Sequence, residues 1–95
     1  MMTDNHHQTL IKFKNDILET VETKILFPKL FATGVFAPKQ IHKLEATQSE
    51  TNKLQLMLNF MVNRNITAYH IFLTILEQTE YEHLANQIKK GKPNH

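Results

Sequence analysis

The chain has no cysteine and no tryptophan, and across its 95 residues it has only two glycines, three prolines and one serine, Ser49. Each scarcity excludes something. Without cysteine there is no disulfide to staple the fold and no thiolate to act as nucleophile or metal ligand, which fits a reducing compartment. Two glycines and three prolines are too few for the hairpins and long loops of a sheet protein, so composition favours helices. No apolar run approaches the roughly 20 residues that a membrane span requires, and the polar stretch 1–8 lacks the apolar centre of a signal peptide. A soluble, cytoplasmic protein with no membrane contact is expected. Enzyme chemistry fails on inventory, because there is no Gly-rich phosphate loop, no cysteine nucleophile, and no paired-carboxylate arrangement.

What is present is a moderately apolar, mildly basic chain. The hydrophobic fraction is 41% and the net charge is +2, from 11 Lys and Arg against 9 Asp and Glu. Ninety-five residues can enclose one core, so a single domain is expected. The sequence pI is about 9.0, but the lysines are scattered and form no block that would mark a polyanion-binding tract. Six histidines invite a metal hypothesis. However, His42, His70 and His83 fall on different predicted helices without the spacing of a zinc motif, and His6 and His7, being adjacent, are expected to be disordered solvent groups. No metal and no cofactor is expected.

Hydrophobic periodicity lays out six helices. Leu10, Phe13, Ile17, Leu18 and Val21 recur at helical spacing and predict one amphipathic first helix. Ile25, Leu26, Leu30 and Phe31 form a second, closed by Gly34, whose freedom at positive φ suits a residue just past a helix end. Pro38 sets the first turn of a short third helix with Ile41 and Leu44. The fourth runs from Leu54 to Val62, with Asn52, Gln55, Asn59 and Asn63 as its polar stripe, and is expected to be central. Asn65 is expected to be left-handed, Thr67 to cap a fifth helix through Leu76, and Thr79 with Glu82 to form a capping box for the sixth, which Gly91 and Pro93 stop. Short connections place successive helices near-antiparallel.

At this point the residues resemble a known family, the caspase recruitment domain of the death-fold superfamily. Segment 30–36 (LFATGVF) is similar to the family's leucine, spacer, glycine, apolar, apolar signature at the close of the second helix. Segment 61–72 looks like its apolar-x-x-Arg-Gly run followed by Ala, aromatic and Phe, with Asn65 in place of the glycine. Segment 76–85 (LEQTEYEHLA) resembles the fifth-to-sixth helix junction of initiator-caspase prodomains, with Glu80 where a glycine is frequent. The fold this resemblance implies is all-α, a six-helix antiparallel Greek-key bundle, with a flexible segment at 1–8, the domain at 9–91 and a tail at 92–95.

The function implied is non-catalytic: homotypic docking onto another caspase recruitment domain of an adaptor or scaffold in apoptotic or inflammatory signalling, which concentrates an attached effector, a caspase in the nearest reading. The resemblance also implies a basic face on the first and fourth helices that meets an acidic face on the partner, with oligomeric signalling assemblies as one outcome. Lys12 and Lys14 lie on the first helix, Lys53 and Arg64 at the ends of the fourth, and Leu56 and Phe60 between them are candidate apolar anchors. The second and third helices carry Lys24, Lys29, Lys39 and Lys43 against Glu45 alone, so the acidic half of that contact is missing and a basic-face donor is expected. Each residue has a plainer reading, since lysines commonly just solvate a helix and Leu56 and Phe60 can serve the core. Two other classes remain: the recruitment domain of an adaptor or scaffold, and a basic helical nucleic-acid-binding module, against which the apolar fourth helix argues.

Overall fold

A computed structural model describes residues 4–91. All the regular structure among them is helical: α1 (Asp4–Lys12), α2 (Lys14–Thr20), α3 (Thr23–Ala32), α4 (Pro38–Ala46), α5 (Glu50–Val62), α6 (Ile66–Gln78) and α7 (Glu82–Lys90). The expected first helix is therefore two. Phe13 interrupts it at φ −96° and ψ 6°, and its ring is fully buried. The part of the expected flexible segment that lies within the described residues, 4–8, belongs to α1. The tail 92–95 lies outside them. His6 is half-buried, its ring 4.4 Å from that of Tyr69, so it is not the loose solvent group expected.

One core joins every helix. Phe13 and Ile17 from the opening pair, Leu26 and Leu30 from α3, Leu44 from α4, Leu54, Met57 and Met61 from α5, Phe72 and Leu76 from α6, and Ile88 from α7 are essentially inaccessible. The fourth expected helix, α5, is central: it packs against α1, α2, α3 and α4, while α6 and α7 pack across a short turn. Burying a large apolar side chain is worth about 1.5–3 kcal/mol, so this shared core is the main stabilising force.

Helix ends follow local chemistry, in places by other residues than the spacing suggested. Gly34 at φ +77° and Gly91 at φ +70° stand after α3 and α7 as expected, and Pro38 opens α4. Asn65 is extended rather than left-handed, at φ −85° and ψ 178°, and it, not Thr67, caps α6 by accepting the Ala68 N–H. The short amide of Asn65 reaches that N–H from just outside the helix, while Thr67 is already inside it. Thr79 donates its hydroxyl back to the carbonyls of Ile75 and Leu76, so it finishes α6 and forms no capping box with Glu82. Tyr81 occupies the cap position of α7.

Among the described residues Ser49 is the one non-glycine at positive φ (71°), and its Oγ accepts the Asn52 N–H at 3.1 Å to start α5. Removing that acceptor with Ser49→Ala is expected to cost about 1 kcal/mol in urea unfolding. Ser49→Gly loses the same cap while relieving the backbone strain, so it should lie closer to wild type.

Candidate partner-docking surface

The opening helices carry two of the expected lysines in different settings. Lys12, at the end of α1, donates from Nζ to the carbonyl oxygen of Gly91 at 2.5 Å, satisfying a free carbonyl at the end of α7 and tying the two ends of the fold together. Its ammonium is held by the fold. Lys14, the first residue of α2, is exposed, and no carboxylate among the described residues lies within ion-pair distance of it. It borders a depression of about 200 Å³ with His7, Leu10, Ile11, Gln55, Leu58, Asn59 and Val62. Ile11 is 53% exposed, the most open large apolar side chain described. An unpaired ammonium beside an open isoleucine is suited to a partner surface that offers both a carboxylate and apolar area.

Of the other four expected residues, Lys53, Leu56 and Phe60 lie on α5 and Arg64 just beyond its end, and none of them borders the Lys14 depression. At about 100° per residue, Lys53, Leu56 and Phe60 fall within roughly 60° of one another on one flank, and Arg64 follows in the turn after the helix. Gln55, Leu58, Asn59 and Val62, which face Lys14, occupy the opposite flank. The structure therefore sets Lys14 on one flank of α5 and Lys53, Leu56 and Phe60 on the other, with the crest of α5 between them, while Lys12 is tied to the end of α7.

The second flank leans on α4. The half-buried ring of Phe60 meets Phe36 edge-on at a centroid distance of 6.1 Å, and both Phe60 and Leu56 pack against the core. Arg64 donates from its guanidinium to Oε1 of Gln40, the oxygen that also accepts the Ala37 N–H at the start of α4. Arg64 is thus bound into the α4–α5 contact and half-buried. Lys53 lies at the start of α5, where its charge helps hold the Glu50 carboxyl below the usual carboxylate range; the larger cause is the Thr23 N–H that this carboxylate accepts.

The sequence pattern missed two of these features. Ile11 lies off the apolar stripe of Leu10, Phe13 and Ile17, and that mismatch was the available sign of its exposure. Gln40 stands three residues after Ala37, the spacing at which a side chain can reach back to a helix start. Along α3 and α4, Lys24, Lys29, Lys39 and Lys43 are all exposed, as is Glu45, so the surface there is mainly cationic. Among the described residues no cluster of His, Asp or Glu could hold a metal, and no helix is long and apolar enough to cross a membrane.

An all-helical bundle with its recognisable chemistry confined to its surface agrees with a family comparison: the family profile described as caspase recruitment domain matches residues 4–91. The chain belongs to the caspase recruitment domain family. No curated protein matches it. A caspase recruitment domain is a non-catalytic, homotypic interaction module, so this domain is not itself an enzyme. Such domains typically pair with other caspase recruitment or death-fold domains. The match begins at residue 4, so α1 is included in the matched region from its first turn.

Proposed function

We propose that this domain recruits an attached effector, a caspase in the nearest reading, to a caspase recruitment domain of an adaptor or scaffold, acting in the cytoplasm in apoptotic or inflammatory signalling. The observation that carries this reading is Lys14: an exposed ammonium free of ion pairs among the described residues, beside open Ile11, at the joint of the opening helices with α5. The partner is an acidic face with apolar area at its centre. Lys12 adds positive potential from the end of α1, and Lys53, Leu56, Phe60 and Arg64 extend the surface across α5 and the turn after it. Bringing several effectors onto one scaffold raises their local concentration, and the module needs no chemistry of its own.

Exposed charge pairs contribute about 0–1 kcal/mol each, so Lys14 chiefly sets orientation and association rate, with affinity from the apolar contact. Lys14→Glu is expected to slow association with an acidic-faced recruitment domain and to leave the melting temperature unchanged. Surface plasmon resonance across candidate adaptor domains, beside a thermal melt, reads both. Equal binding by the variant would remove Lys14 from the contact.

A further inference from the structure

Four side chains with N–H groups surround the depression between the opening helices and α5, and their donors are unspent. His7 comes from α1, Lys14 from α2, and Gln55 and Asn59 from α5. His7 and Gln55 are half-buried, yet none of these four side chains hydrogen-bonds or forms an ion pair with another described residue. No Asp or Glu borders the depression. An ammonium offers three donors and no acceptor, and each amide offers two donors, so the rim is rich in donors and carries the full positive charge of Lys14.

Between these groups the lining is apolar. Leu10 and Leu58 are buried, Val62 is half-buried, and Ile11 stands open at the margin. Other cations near the core lack this combination. The Lys12 ammonium is taken by the Gly91 carbonyl, and Arg64, which borders a different depression, is bound to Gln40. The space beside Lys14, about 200 Å³, falls below the roughly 300–1,000 Å³ of sites for drug-sized ligands, so its occupant is small.

We infer that this depression binds a small monocarboxylic acid with a compact apolar body, of about the size of one ring on a short chain. The carboxylate takes the Lys14 ammonium and the amide donors of Gln55 and Asn59, and the ring lies against Leu10, Leu58 and Ile11. Charge and donor excess select an acid over an amine. The apolar lining selects a ring over a bare carboxylate such as acetate. So few contacting atoms and an exposed charge pair make the site weak, with a dissociation constant on the order of a millimolar. An acid seated there covers Lys14 and so excludes the acidic face of an adaptor; that consequence, but not the site itself, rests on the docking reading.

Titrating the isotope-labelled chain with 3-phenylpropionate at fixed ionic strength, followed by amide NMR shifts, tests the site. The expected result is saturable shifts confined to the neighbourhood of Ile11, Lys14, Leu58 and Asn59. Acetate, which has no apolar body, and 3-phenylpropylamine, which has the wrong charge, should each bind far more weakly. Lys14→Met keeps most of the aliphatic stem and removes the charge; it is expected to weaken 3-phenylpropionate by about three- to fivefold and to leave the affinity for neutral 3-phenylpropanol unchanged. Position 14 is exposed, and the same spectra show that the variant is folded. Shifts that never saturate or that scatter over the whole surface, an amine that binds as well as the acid, or a Lys14→Met chain that binds the acid as tightly as wild type would each overturn the inference. The titration contains no adaptor, so its failure leaves the docking reading untouched, and equal adaptor binding by Lys14→Glu leaves the acid site untouched.

Discussion

Phe13→Ala is expected to destabilise the domain more than any surface change, by about 3–5 kcal/mol in urea unfolding. A domain of this length has roughly 5–14 kcal/mol in total at about 0.05–0.15 kcal/mol per residue, so the loss is a large share of its stability. The ring is fully buried beside core residues of several helices, and its removal leaves a cavity that a central α5, packed on four neighbours, cannot readily collapse around. Phe13 also marks the break between α1 and α2. Its N–H still bonds to Thr9 O at 3.1 Å and its carbonyl accepts from Ile17 N at 2.9 Å, so the chain stays hydrogen-bonded on both sides of the interruption. Filling the same space with Phe13→Leu is expected to cost well under half of the alanine loss. Equal losses for Ala and Leu would mean that ring volume is not what matters there.

That break shows where the sequence could be read and where it could not. The apolar spacing of Leu10, Phe13, Ile17 and Val21 correctly assigned the inward face of the opening segment, because burial follows from periodicity. Nothing local announced an interruption: no glycine or proline lies near Phe13, and the cause is the tertiary demand for its ring. Gly34, Pro38 and Gly91 were legible because each acts through its own backbone preference. Asn65 and Thr79 were misread because their side chains can serve either a turn or a cap, and only the neighbouring N–H and C=O groups decide which.

The docking residues divide in the same way. Exposure of Lys14 and the lysine-rich character of α3 and α4 follow from helical phase and composition. The separation of Lys14 from Lys53, Leu56, Phe60 and Arg64 could not be read, since it depends on which side of α5 the opening helices lie against. Arg64 looked like a free surface cation, and its bond to Gln40 joins residues 24 positions apart.

Glu50 carries the second large expectation. Its carboxylate binds both the N–H and the hydroxyl of Thr23, a residue only 7% exposed, and so joins the start of α5 to the start of α3. Glu50→Ala strands both donors and is expected to cost about 1–3 kcal/mol; Glu50→Gln keeps an acceptor and should cost less. The Thr23 N–H chiefly holds the carboxyl below the usual range, against the opposing effect of desolvation and with help from the Thr23 hydroxyl, Lys53 and Lys24. A carboxyl depressed in the folded state stabilises fully above its unfolded value, about 4.3, and loses that contribution as pH falls through its lower folded value. The stability gap between wild type and Glu50→Gln is therefore expected to be constant near neutrality and to narrow in acid. Urea titrations stepped from about pH 7 to about pH 3 would follow it. A gap that stays the same throughout that range would mean that the charge on Glu50 contributes nothing, and that the α3–α5 junction rests on neutral hydrogen bonding alone.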